Sequence, residues 1–346
     1  MGRGNMLGIG IIGTGWGARV QVPAFRSVGL EVTALAGSQA AKTAHIAGDL
    51  GVAWHTNDWR ALLERPDVAV VSIVTPPGLH RTMVAAALEA GKHVLCEKPT
   101  ALDTAEAEAM LAAAAARPAQ FALIDHELRF LPALRHARDL IIQGDIGAVR
   151  HAEVQSINSS RSNPLRPWNW WSDAAQGGGV LGAIGSHLID LLRYLLADEV
   201  ASADGITRTF IAERPDSFGV LQPVTADDYV AATLRFVGGA AATITASVVA
   251  PYDEPNSATI YGASGALRFV GGRLLRSGGG EFVDITPVHR LNFPADIVGD
   301  FPQGTVYLGA ALKAALGGDG AALAPAATFA DGLAVQRVLD AIRAAS

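Results

Sequence analysis

LGIGIIGTGWGA (residues 7–18) sets six mostly apolar residues directly before a glycine-rich turn. The apolar run reads as a buried strand, and the turn carries Gly13 and Gly15 at the first two glycine positions of a dinucleotide fingerprint, with Ala18 at the third. Gly13 permits the tight turn, and Gly15 lets backbone amides approach a pyrophosphate. A small residue at 18 allows close helix–sheet packing. Thr14, Trp16 and Gly17 complete a loop that would hold the anion at a helix N-terminus. A bare glycine pattern carries little weight in a chain with 38 glycines, and an ordinary strand–helix turn is the alternative. Its place after a strand is what favours the dinucleotide.

Outward from this turn, short apolar runs alternate with helical patterns. Residues 7–12, 31–37, 68–74, 93–96 and 121–124 read as buried strands with amphipathic segments between them, which predicts a doubly wound parallel sheet. The second strand ends in LAGSQAAK, with no acid to bind the adenine ribose hydroxyls. Ser38 could hydrogen-bond a 2′-phosphate and Lys42 could neutralise it, so the reading is NAD(P) with a lean to NADP.

Composition narrows the partners. The chain has 346 residues, 50% hydrophobic and 17% charged, enough to bury large cores in two domains. A net charge of −6 with interspersed signs gives no basic stripe for nucleic acid and no polybasic run for a membrane. The run from Leu7 to Ile12 is too short to span a bilayer. One cysteine, Cys96, cannot form an internal disulfide or a Cys-rich zinc module, so a cytosolic address is expected; no His or third carboxylate stands at recognisable ligand spacing to Asp227 and Asp228, so no metal is expected.

Ligands of open α/β sheets sit beyond the carboxyl ends of the strands. After the 68–74 strand comes TPPGLH, where Thr75, Pro76 and Pro77 form a stiff loop suited to lie against a nicotinamide. His80, at the next helix start, is read both as a cofactor neighbour and as a capping or packing residue. After the 93–96 strand comes CEKPT. Lys98 there is followed by Pro99, which fixes the turn and aims the ammonium from a rigid base, where it could exchange a proton with a substrate hydroxyl or carbonyl. A surface salt bridge, with Glu97 for example, is the plainer reading.

GIIGTGWGARVQVPAF, VTPPGLH, HVLCEKP, RFLPA and GGGVLGAIGSHLIDLLRYLL, in this order, resemble the Gfo/Idh/MocA oxidoreductases over nearly the whole chain. The resemblance implies an N-terminal Rossmann domain and a C-terminal α/β domain on a large open sheet. It implies hydride transfer between nicotinamide and a carbon of a sugar or cyclitol, and a homodimer or homotetramer. By the same carry-over Lys98 matches the catalytic lysine and His187 the histidine of the second domain; Lys98 and His187 are also candidate substrate contacts, and Glu97 and Lys98 candidate cofactor contacts.

After residue 126 the pattern changes to a helix within LPALRHARDLIIQGDIGAV, followed by strands such as YVAATLRF, AATITASVV, SATIYG and ALRFV joined by glycine-rich turns. This predicts a mostly antiparallel sheet and domains 1–126 (NAD(P)-binding) and 127–346 (substrate and oligomer), the last helix packing back on the first. RPWNWW offers Trp168 and Trp171 as an aromatic wall for a sugar ring, or as a buried loop anchor. Asp227 and Asp228 read as turn residues rather than a metal pair, and Arg129 is a candidate substrate contact.

His187 follows GGGVLGAIGS on what reads as one amphipathic helix, sharing a face with Ala183, Asp190 and Tyr194. The family pattern has an aspartate where this chain has Ala183, and a methyl cannot orient an imidazole. Three explanations compete: Lys98 and His187 suffice; Glu127, close in topology to the nicotinamide, faces the cleft as a replacement acid; or the protein binds nucleotide without redox chemistry. The expected activity is an NAD(P)-dependent oxidoreductase on a polyhydroxylated small molecule. An NAD-dependent glycosidase working by transient oxidation and a non-catalytic nucleotide sensor are the alternatives.

Overall fold

The computed structural model describes residues 8–288 and 291–346. Leu7, the first residue of the opening run, lies outside them. The chain is mixed α/β and divides into two compact units. One comprises 8–100, 105–130 and 291–332, and the other 101–104, 131–288 and 333–346.

The first unit is built on a mostly parallel sheet. Its strands are β1 (Gly8–Ile12), β2 (Val32–Ala36), β3 (Trp54–Thr56), β4 (Val68–Ile73), β5 (His93–Cys96) and β6 (Ala122–Ile124), in the order β6-β5-β4-β1-β2-β3. A short strand, Ala327–Thr328, adds antiparallel to β6 at the edge. All five residues of β1 are buried, as expected for a parallel strand covered on both faces. The strand order reverses between β1 and β4, so the glycine turn after β1 opens at the switch point where such sheets bind ligands.

Helix Asp300–Leu316 belongs to this same unit. Leu308, Ala311 and Leu312 on its apolar face share a core with Ile9, Phe25 and Leu35. A single division after residue 126 therefore does not describe the chain: burial of that face returns residues 291–332 to the first unit. Close approach depends on Gly309, because a Cβ there would stand 2.7 Å from Phe25 Cδ1.

The second unit carries an eight-stranded sheet. From one edge its strands begin at residues 283, 273, 266, 257, 149, 241, 229 and 200, and every neighbouring pair is antiparallel except Val149–Ile157 with Ala241–Ser247. Strand Tyr229–Phe236 shows why one face is covered and one open: Val230, Ala232, Leu234 and Phe236 are buried, while the intervening residues are not. Helix Pro132–Ile142 packs on strands Ala266–Val270 and Arg273–Ser277, and helix Ser186–Leu196 packs on Val149–Ile157.

The single regular helix expected before His187 is corrected in its first turn. Leu181–Gly185 form a wide π turn, and the α-helix Ser186–Leu196 follows. The stretch Ala174–Leu196 is apolar and long enough to cross a membrane, but 83% of its most apolar window is buried inside the protein, where the core satisfies that hydrophobicity.

Phe25 is fully buried and has no room to yield. Gly309→Ala should therefore destabilise the protein by about 1–3 kcal/mol, an overpacking cost measurable in urea or thermal unfolding, whereas Gly48→Ala, with open space at its Cβ position, should not destabilise it.

Candidate functional site

The glycine turn is held by the ends of the strands beside it. Gly13 has φ +132°, and its N–H donates to the Ala36 carbonyl at 2.8 Å, while Val74 N–H donates to the Ile12 carbonyl at 2.8 Å. A Cβ on Gly13 would stand 2.2 Å from the Val74 oxygen, so no other residue fits without moving backbone. Close helix–strand packing falls on two small residues rather than on Ala18 alone. Ala18 is buried, and a Cβ on Gly17 would stand 2.7 Å from Ile11 Cγ2. Gly15 differs: nothing lies within 4 Å of its Cβ position, and the residue is exposed. That open approach to bare backbone at the switch point is what a dinucleotide pyrophosphate requires, and the loop fits the group.

Trp16 packs on the apolar cluster of Val20, Ala24, Ile297 and Val306 at the side of this loop. Ser38 and Lys42 are both exposed, Ser38 just past β2 and Lys42 in the first turn of helix Ala40–Asp49.

Beyond β4, Thr75 and Pro76 are half-buried. His80 sits at the start of helix His80–Glu89. It is fully buried, with Nε2 2.9 Å from the Thr75 carbonyl and Nδ1 3.2 Å from the Thr100 carbonyl. Burial lowers its pKa, and a neutral ring has one N–H to donate, so it bonds one of these carbonyls while its other nitrogen packs against the second.

The tip of β5 carries the densest chemistry. Cys96 is fully buried, its thiol pKa raised by burial and then by Glu97 and Asp125. Glu97 N–H donates to the Ile73 carbonyl at 2.9 Å, and Asp125 N–H to the Cys96 carbonyl at 2.7 Å, so both acids stand side by side at adjacent strand ends. Gln21, fully buried on the first helical turn, reaches them. Its Nε2 donates to Asp125 Oδ2 at 2.9 Å and to Glu97 Oε1 at 3.4 Å, while its Oε1 accepts from Ser72 Oγ at 2.6 Å. The half-buried Lys98, which precedes a cis proline, donates its backbone N–H to Glu97 Oε2 at 3.3 Å.

Glu127 joins this cluster. It is only 2% exposed, and burial followed by the charges of Asp125 and Glu97 raises its pKa well above the carboxylate range. Burial and then Glu97 do the same to Asp125, and burial raises Glu97 against the opposing pull of Lys98. Three carboxyls in one dry pocket cannot all ionise. Gln21, Ser72 and Asp125 had no marker in the sequence, because only the fold brings them to Glu97.

Arg129, the candidate substrate contact, is held by an ion pair. It is 6% exposed and ion-paired with Asp331 at 3.0 Å, at the start of helix Phe329–Ala345. Burial opposes ionisation of Asp331, but Arg129 and the Thr328 N–H overcome it and hold that pKa far below the usual range.

In the second unit, Gly177 (φ +81°) and Gly179 (φ +108°) turn the chain into the His187 helix. A Cβ on Gly179 would stand 2.3 Å from Asp227 Oδ1, because Asp227 caps this helix: its Oδ2 accepts the Leu181 N–H at 2.6 Å. Asp228 accepts from the Phe210 and Ile211 amides, so the two acids serve separate backbone segments. No cluster of three metal-ligating side chains occurs among the described residues. His187 is 2% exposed, and Asp190, one turn on, is 1% exposed and 4.0 Å from Arg193. Ala183 is half-buried in the π turn. Trp168 anchors its loop through Nε1–H to the Pro223 carbonyl at 3.0 Å, while Trp171 lies under the Arg161 guanidinium.

The raised acids give a pH signature. Above about pH 4 unfolded carboxyls ionise while the folded ones keep their protons, so this cluster stabilises least at high pH. Asp125→Asn removes one such group and keeps an acceptor for Gln21; its thermal midpoint should decline less than the wild type's between pH 5 and 8.

Residues 7–124 match the model of the oxidoreductase family with an NAD-binding Rossmann fold, and residues 134–268 match that of the GFO/IDH/MocA C-terminal domain. Human glucose-fructose oxidoreductase domain-containing protein 2 is 30% identical over 359 residues, covering 98% of this chain and 91% of its own. An oxidoreductase domain protein from Kribbella flavida has a solved structure similar to this one, at 34% identity and a TM-score of 0.87, covering 99% of this chain and 97% of that one. Levoglucosan dehydrogenase in complex with NADH and levoglucosan superposes with a TM-score of 0.86 at 27% identity, over 98% of this chain and 96% of that one. With both domain models matched in sequence order and a relative aligned along nearly its whole length, the chain belongs to the GFO/IDH/MocA family of NAD-binding oxidoreductases.

Proposed function

We propose that this protein is an NAD(P)-dependent dehydrogenase or reductase acting on a CH–OH carbon of a sugar, cyclitol or related polyol. The observation that carries the reading is the pairing, within one sheet, of the open backbone at Gly15 with Lys98 at the tip of β5, two strands from β1. The levoglucosan dehydrogenase that resembles this chain was solved with NADH and a sugar derivative, which supports the substrate class.

When bound, the nicotinamide supplies hydride exchange. The chain's part is to hold and to move protons. The loop Gly13–Thr14–Gly15–Trp16–Gly17 holds the pyrophosphate, and the Thr75–Pro76–Pro77 loop borders the nicotinamide. Ser38 and Lys42 meet the adenine ribose: the lack of an acid there speaks for NADP, the NADH-bound relative for NAD. Lys98 carries the proton at the reacting oxygen. Glu97 fixes the Lys98 amide and Gln21 fixes Glu97, so the lysine stands beside a pocket of set charge. His187 is the general base of the second unit, with Asp190, one turn on, orienting it in place of the missing acid at Ala183. In this reading 1–126 bind the nucleotide and the later sheet serves substrate and homo-oligomer contacts, in the cytosol.

The test is a cofactor-absorbance screen of sugars, cyclitols and their keto forms with NAD and NADP. With a substrate in hand, Lys98→Ala and His187→Ala should each lower kcat by at least ~100-fold, the usual scale of acid–base catalysis. Near-normal turnover in either variant removes that residue from the chemistry. Glu127→Gln should shift the pH profile of kcat; an unchanged profile makes Glu127 purely structural. Nucleotide binding with no turnover across the panel would favour the sensor reading, which Ala183 keeps open.

A further inference from the structure

One cation in the second unit stands apart from every role given above. Arg161 lies in the loop after strand Val149–Ile157, where its N–H donates to the Val248 carbonyl at 2.8 Å. Its guanidinium sits 3.8 Å over the Trp171 ring. Among the described residues that side chain makes no ion pair and no hydrogen bond, and Nη1 is enclosed without an acceptor. The charges acting on it are those of Arg166 and Arg214, both positive; after burial, they pull its pKa down to about 9.

The two neighbours are fixed by other bonds. Arg214, 3% exposed, donates Nη1–H to the Asn163 carbonyl at 2.7 Å and Nη2–H to the Arg161 carbonyl at 2.6 Å. Arg166 donates to the Ser160 carbonyl at 2.7 Å. The loop is thus wound around its own arginines, with the Arg161 fork left over. The nearby acid Asp228, which acts on Arg214, is already taken by the Phe210 and Ile211 amides. A half-buried guanidinium facing only like charge is costly unless an oxyanion completes it, and the planar fork suits a carboxylate or phosphate. The cation–π contact holds the ring but cancels no charge. The Trp171 carbonyl in turn lies against Gly178, where a Cβ would stand 2.4 Å away, so this loop abuts the glycine turn that leads into the His187 helix.

We propose that Arg161, seated on Trp171 between Arg166 and Arg214, receives an anionic group, a carboxylate or a phosphate, borne by the small molecule that the second unit binds. That this molecule is the polyol substrate rests on the function proposed above. The substrate class then narrows to acidic or phosphorylated polyols.

The test is calorimetric titration of the full chain with D-glucose, D-gluconate and D-glucose 6-phosphate in low-salt, phosphate-free buffer. At least one anionic probe should bind ~10-fold or more tightly than glucose, the scale of one charge-assisted hydrogen-bonded contact, and the preference should weaken with added salt. The stronger of the two anionic arms identifies the group. Arg161→Gln should abolish the preference and leave the glucose titration unchanged. Arg166→Gln, at an exposed position, should reduce it several-fold and serves if Arg161→Gln does not fold. Equal binding of all three probes by the wild type, or an unchanged preference in Arg161→Gln, overturns the proposal. Because binding is read without turnover, anion selection in a protein that oxidises no polyol would overturn the proposed reaction alone. Polyol oxidation without anion preference would overturn this proposal alone.

Discussion

The carbonyl of Val74 stands where a side chain on Gly13 would have to be, and much of the first unit follows from that contact. The oxygen is there because the β1–β4 pairing runs one bond past the strands, through Val74 N–H to Ile12. The same overrun binds Glu97 to Ile73 and Asp125 to Cys96. Four neighbouring strand tips are thereby locked in register, and whatever emerges from them, whether bare amides at Gly15 or carboxyls at 97 and 125, emerges in fixed relation. A glycine turn on a looser sheet edge would have the same sequence and none of this precision.

Locking acids side by side in a dry place has an electrostatic consequence. Ionising Glu97, Asp125 and Glu127 together would put like charges in a medium that screens them poorly, so protons stay. Gln21 is suited to such a pocket because an amide serves charged and neutral neighbours alike: its nitrogen donates to both acids while its oxygen takes the Ser72 hydroxyl. The protein has set a reservoir of bound protons beside its one strand-tip lysine without opening that reservoir to water.

Legibility in the sequence followed the range of the forces involved. β5 and the strands Tyr229–Phe236, Ser257–Gly262 and Ala266–Val270 coincide with apolar runs bounded by turn residues, since strand pattern is local. The glycine turn was legible for the same reason. Asp300–Leu316 carries no such local signal, because nothing within the helix says which sheet its apolar face covers. The π turn at Leu181–Gly185 has the sequence pattern of regular helix, since five residues of periodicity do not distinguish the two. His80 and Arg129 carry side chains that suggest ligand contact; their partners, the carbonyls of Thr75 and Thr100 and the carboxylate of Asp331, become visible only in three dimensions. The Arg161 group was hidden in the opposite sense, by the absence of a nearby acid.

Cys96 has a consequence of its own. It is the single thiol of the chain, sealed at the tip of β5 beside Glu97, and burial together with the flanking acids keeps it in the unreactive protonated form. A sulfhydryl reagent can reach it only when that strand end parts from its neighbours. The cysteine is thus a built-in clock for transient opening of the proton-holding pocket, one whose ticking can be counted without introducing any label.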